Sequence, residues 1–171
     1  MTNKPFASIA KTKSGLGDLN RIVDKIRRTR IYVGVAEGAD GDVRGGDEPT
    51  NSQLGFKHEF GSPYENIPPR PFLQAGVQYN KGTISGLMRG AMEQALSDDL
   101  KGFDKRMEAA ALTAAASVQE YMVKADFAPL SPMTIRERLK RNPNQDPATM
   151  KPLIDTGSLR QAIQGIVIEE D

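Results

Sequence analysis

The sequence predicts an α+β protein: several helices packed on a small antiparallel or mixed β-sheet, with an extended loop and an N-terminal arm. Three observations predict it. Long stretches carry apolar residues at helical spacing, and two short stretches, one in each half of the chain, alternate with a period of two. Clusters of proline, glycine, aspartate and asparagine separate these segments. Residues 1–14 are expected to form a flexible arm, and residues 15–171 a single domain with a mobile loop at 37–49.

Each element has its own reason. Residues 1–14 carry lysines and small polar residues without a period. From Leu16, the positions Leu16, Leu19, Val23 and Ile26 recur at three and four residues, one face of a helix. Arg30 to Ala36 then switches to a period of two, with Ile31, Val33 and Val35 on one side. Gly34 inside this strand suggests a neighbour passing close by. Residues 37–49, EGADGDVRGGDEP, read as a loop. Their aspartates and glutamates do not have the spacing of an EF-hand calcium loop.

Thr50 followed by Gln53 fits a capping box opening a helix to Gly61, with Pro63 just beyond. Phe72 to about Leu96 is expected to be helical. Its glycines at 76, 82, 86 and 90 weaken it, so it should break near Asn80 to Thr83 or pack closely through its glycine face. Phe103 to Phe127 is the longest helix, striped by Phe103, Met107, Ala110, Ala114, Val118 and Tyr121. Pro129 and Pro132 end it. Ser131 caps a following short helix with Pro132 at its first position. Residues 142–152 read as a loop. Asp155 or Thr156 is expected to cap a last short helix, followed by a strand through Ile166 and Ile168.

Composition narrows the function classes. At 171 residues the chain can enclose a core, yet 38% hydrophobic content without tryptophan is lean, which suits a protein that completes its burial against partners. A net charge of +1 gives no bulk attraction to nucleic acid or anionic membranes. The absence of cysteine removes disulfides, thiol catalysis and thiolate metal sites. No apolar run has signal-peptide or membrane-spanning length, so the expectation is a soluble protein made in the cytoplasm.

Chemical candidates are few. His58 is the only histidine, and beside it stands Glu59. One imidazole and one carboxylate make a poor zinc site, and neighbours on a helix point about 100° apart. No nucleophile elbow, Walker loop or dinucleotide fingerprint is present. The reading is therefore a non-enzyme without cofactor or metal, with hydrolase chemistry at His58 and Glu59 as a lesser alternative. Two basic runs, at 25–30 and 136–141, read as solvated faces, or alternatively as contacts to DNA phosphates or an acidic partner.

The stretch HEFGSPYENIPPRPFLQAG, from His58, carries the strongest candidate. Pro68, Pro69 and Pro71 fix φ and lack N–H donors, so residues 67–71 should be extended and stiff, which favours docking through preorganisation. Arg70 is expected to stand out from this elbow as a fork-shaped donor for a partner's carboxylate or carbonyls. Phe72 and Leu73 are expected to anchor in a core or in a neighbour's pocket.

Three phrases together, HEFGSPYENIPPRPFL, PLSPMTIRERLKRNP and KPLIDTGSLRQAI, resemble the neck and tail-completion proteins of tailed bacteriophages. That group includes minor tail components and virion-morphogenesis proteins. The recurring pattern is an E-F-G turn, I-P-x-R-P-F-L, a P-L-S/T-x-x-T-I segment and P-L-I-D-T-G-x-L-R-x-x-I. It covers positions 58–73, 129–141 and 151–163, roughly a third of the chain. In the group's Mu and P2 type the D-T-G phrase comes first; here it closes the chain, which means a different branch or a sharing of pieces.

The resemblance implies a structural virion protein of the head–tail junction, made in the host bacterial cytoplasm. It would assemble as a homo-oligomeric ring, hexameric or twelvefold, between the head connector (or portal-side adaptor) and the tail terminator or tail tube. DNA would pass only as cargo in the channel. It also implies that Arg70 and Arg160 make interface or motif-holding salt bridges. A DNA-binding or assembly accessory protein is the alternative from another class.

Overall fold

The computed structural model describes residues 13–36 and 49–171. The architecture is α+β: seven helices among the described residues, with a two-stranded antiparallel sheet. The order is α1 (Lys13–Arg28), β1 (Thr29–Val35), α2 (Asn51–Phe60), α3 (Leu73–Tyr79), α4 (Lys81–Leu96), α5 (Leu100–Lys124), α6 (Pro132–Arg141), α7 (Ser158–Gln161) and β2 (Ile163–Glu169). Among the described residues no helix is long and apolar enough to cross a membrane. Of the expected arm, residues 1–12 lie outside the described residues, and Lys13 and Ser14 begin α1. The expected loop and the calcium question attached to it also lie outside them, apart from Pro49.

α5 is the element on which the others lie. Its alanine-rich face is strongly helix-favouring and lets neighbouring backbones approach. It contributes Phe103 and Met107 to one core cluster with Ile22, Ala91 and Ala95. Further along it contributes Ala115, Val118 and Met122 to a second cluster with Phe72, Leu153, Leu159 and Ile163. Phe72, on the proline elbow, is therefore an intramolecular core residue, and burying it contributes about 2 kcal/mol.

The two strands pair over their full length, from Thr29 opposite Glu169 to Val35 opposite Ile163. Ile31, Val33 and Val35 face the core side with Ile163 and Val167, while Tyr32, Ile166 and Ile168 are exposed. The close approach expected at Gly34 is absent among the described residues, since a Cβ there would meet none of their atoms within 4 Å. It occurs instead at Gly165 in β2, where a Cβ would collide with the Ala111 carbonyl of α5. Alternation alone places both glycines in strands; only the layer beneath distinguishes them.

The glycine-rich stretch breaks where its composition suggests, at Asn80 between α3 and α4. Gly76 and Gly90 lie against neighbours: a Cβ would come within 2.7 Å of Val118 Cα and of Arg106 Nη1, respectively. At Gly82 and Gly86 a Cβ would meet nothing within 4 Å among the described residues. Thr50 is the N-cap of α2 with a reciprocal capping box to Gln53, and Ser131 caps α6 by accepting the Thr134 N–H at 3.1 Å.

Candidate functional site: a groove framed by two buried arginines

α2 ends at Gly61, whose φ of 78° suits a residue without Cβ; a Cβ there would also press on the Ile67 carbonyl and the Pro69 nitrogen, each at 3.0 Å. The chain pinches into a tight turn, with Ser62 bridged to Ile67 and Asn66 in a left-handed conformation at φ 53°. Pro68, Pro69 and Pro71 follow, all exposed. The Arg70 N–H then donates to the His58 carbonyl at 2.6 Å, folding the elbow back onto the end of α2.

Glu59 completes this fold. Its carboxylate accepts the N–H groups of Phe72 and Leu73, both at 2.8 Å, and of Gln74 at 3.1 Å. These are donors at the start of α3, which lack intrahelical acceptors and lie at the positive end of the helix dipole. Phe72, the residue at the cap position, has no oxygen to offer. An acid thirteen residues earlier does the capping, and sequence spacing gave no signal of it.

Arg70 does not stand out toward a partner. It is 5% exposed; its Nε donates to the Ala128 carbonyl at 2.7 Å and its Nη2 to the Pro129 carbonyl at 2.8 Å. These carbonyls belong to the irregular link between α5 and α6, where no helix supplies donors. A planar guanidinium fork matches two successive carbonyls, which is why the inward position wins. The expectation that Arg70 projects from the elbow is thus corrected: within its own chain it is a clamp on the α5–α6 link.

Arg138, in the second basic run, repeats the device. Also buried, it donates through Nη1 to the carbonyls of Lys151 at 2.9 Å and Ile154 at 2.8 Å. Asp155 lies 3.6 Å from its Nε and 2.5 Å from Arg141 Nη2. Asp155 is therefore an ion-pair anchor and not the expected helix cap. The N-cap of α7 is Gly157, at φ 85°, and Thr156 accepts the Ser158 N–H through Oγ1 at 3.3 Å from one position earlier. Ser158 in turn donates to Asn51 Oδ1 at 3.2 Å, returning the connection to α2.

The three segments enclose a groove of about 660 Å³, whose wall includes His58, Pro68, Arg70, Thr134, Arg138 and Ser158. Leu73 packs half-buried against the core cluster of Phe72, away from this groove. Arg160 is half-buried on α7, its side chain makes no hydrogen bond or ion pair among the described residues, and it is not brought to the groove.

The electrostatics of the groove follow from its charges. Burial, then the positive charges of Arg70 and Arg138, lower the His58 pKa to about 4, so the imidazole is neutral near pH 7. Its buried Nδ1 has no hydrogen-bond partner among the described residues. Glu59 is occupied by three backbone N–H groups, so the histidine and its neighbouring acid do not converge on one point. Among the described residues no group of three or more histidines or acids is placed to hold a metal. The first basic run is engaged at home: Lys25 pairs with Asp104 and Glu169, and Arg28 with Asp171.

Comparison of the chain with protein-family models, with curated proteins and with solved structures finds no match.

Proposed function

We propose that the protein is a structural component of the head–tail junction of a tailed bacteriophage virion, forming a ring that completes the tail and joins it to the head connector. The observation that carries this reading is the interlocking of the three resembling phrases. They lie far apart in the chain, yet Arg70 of the first holds the backbone of the second, and Arg138 of the second holds the backbone of the third. The phrases thus act as one device that frames a groove, with the proline elbow on its rim.

A preorganised rim of this kind loses little entropy when a neighbour docks. A ring needs two different patches on each copy, because a heterologous interface repeated around an axis closes on itself. The groove supplies one. Immunogold electron microscopy with antibody to this protein tests the reading: label concentrated where head meets tail supports it, and label absent from purified particles overturns it.

A further inference from the structure

The chain's net charge of +1 conceals a division. Residues 37–48 carry Glu37, Asp40, Asp42, Asp47 and Glu48 against Arg44, a net −4, which leaves +5 on the remainder. At the groove the ionic partners are unequally shared. Glu65 is neutralised by Lys57 at 2.7 Å, and Asp155 serves both Arg138 and Arg141. Arg70 faces no carboxylate within ion-pair distance among the described residues, although it is buried.

The arginines are also not saturated. Their carbonyl clamps use Nε and Nη2 of Arg70 and Nη1 of Arg138. Arg70 Nη1 and Arg138 Nη2 carry donors that no described residue takes up, and neither atom is sealed from solvent. A guanidinium with donors left over and no counter-charge is suited to a carboxylate, which it binds through short charge-assisted hydrogen bonds.

We infer that this groove receives the acidic segment 37–48 of a second copy of the chain, with a carboxylate of that segment pairing with Arg70 and Arg138. Charge complementarity chooses the occupant: the acidic excess lies on one segment of the chain and a buried, uncompensated cation on another. Two distinct patches that fit each other between copies give a head-to-tail contact, which can close into a ring. The inference rests on the ring reading above and names the contact within it. Such a contact forms quickly and weakens with salt, since complementary charge steers encounter.

The test uses two variants of the whole chain. Asp40→Asn/Asp42→Asn/Asp47→Asn neutralises the segment and leaves the groove intact. Thr134→Glu places a repelling carboxylate on the exposed groove mouth, where the first turn of α6 tolerates an acid. Sedimentation velocity at low salt should show wild-type assemblies, with either variant alone associating at least about tenfold more weakly. An equimolar mixture of the two variants should form one-to-one dimers and nothing larger, because only one groove and one segment remain functional. Wild type that assembles while the triple variant assembles equally well overturns this contact and leaves the ring reading standing. Failure of the mixture to dimerise, or a triple variant altered in thermal stability but not in assembly, also overturns it. A wild-type chain monomeric at every concentration overturns both.

Discussion

The Glu59 carboxylate accepts the Phe72 N–H at 2.8 Å, and with it the N–H groups of the next two residues. One side chain thereby ties the end of α2 to the start of α3 and sets Phe72 in the core. Replacing Glu59 with Gln keeps the shape and removes the charge at the helix start. Chemical denaturation should show a loss of about 1 kcal/mol for Glu59→Gln and a larger one for Glu59→Ala. Unchanged stability in Glu59→Ala would mean that water caps α3 equally well.

Arg70→Ala leaves two carbonyls of the α5–α6 link without donors. Hydrogen bonds from a charged group contribute about 1.5–3 kcal/mol each, and the two share one side chain, so a destabilisation of about 3 kcal/mol is expected. Arg70→Lys keeps the charge but not the fork, and should recover only part of it. A variant that unfolds at the same denaturant concentration as wild type would show that the clamp does not support the fold.

His58 makes stability depend on pH. Its pKa is lowered from 6.5 to about 4 on folding, first by burial and then by Arg70 and Arg138. Between these values the unfolded chain binds a proton that the folded chain refuses. Stability is therefore full above about pH 6.5 and falls as the pH drops toward 4, by about 2–3 kcal/mol from this group. Because the chain has one histidine, a single imidazole proton resonance reports the titration directly. A midpoint near 6.5 in the folded protein would contradict the burial argument. His58→Gln should flatten the slope of stability against pH in this window.

Gly165 and Gly34 provide a matched pair. Alanine at 165 would collide with the Ala111 carbonyl of α5, so Gly165→Ala should destabilise by about 1–3 kcal/mol as strand and helix move apart. Alanine at 34 meets nothing among the described residues, and Gly34→Ala should be neutral or slightly stabilising. Thermal melts of the two variants check the pair; equal effects would mean that β2 does not lie on α5 as described.

Much of the fold was legible because its causes are local. The period-two run at Arg30–Ala36 became β1, the Thr50–Gln53 capping box opened α2, Ser131 with Pro132 opened α6, and the glycine-weakened stretch broke at Asn80. The site was less legible because its causes are not local. Arg70 meets carbonyls 58 and 59 residues away, so nothing near it in sequence shows that it turns inward. Arg138 sits in a basic run whose other charged residues are exposed, and only the three-dimensional position of Lys151 and Ile154 separates it from them. Asp155 has the residue type and spacing of a cap, but two arginines of α6 claim its carboxylate. Position in a turn chooses among residue types; competing long-range partners decide what the side chain then does.

Electron microscopy of particles produced without this protein tests the proposed junction role most directly. The account predicts filled heads and finished tails lying separately, with joining restored when the protein is supplied. Complete, infectious particles assembled in its absence would contradict it.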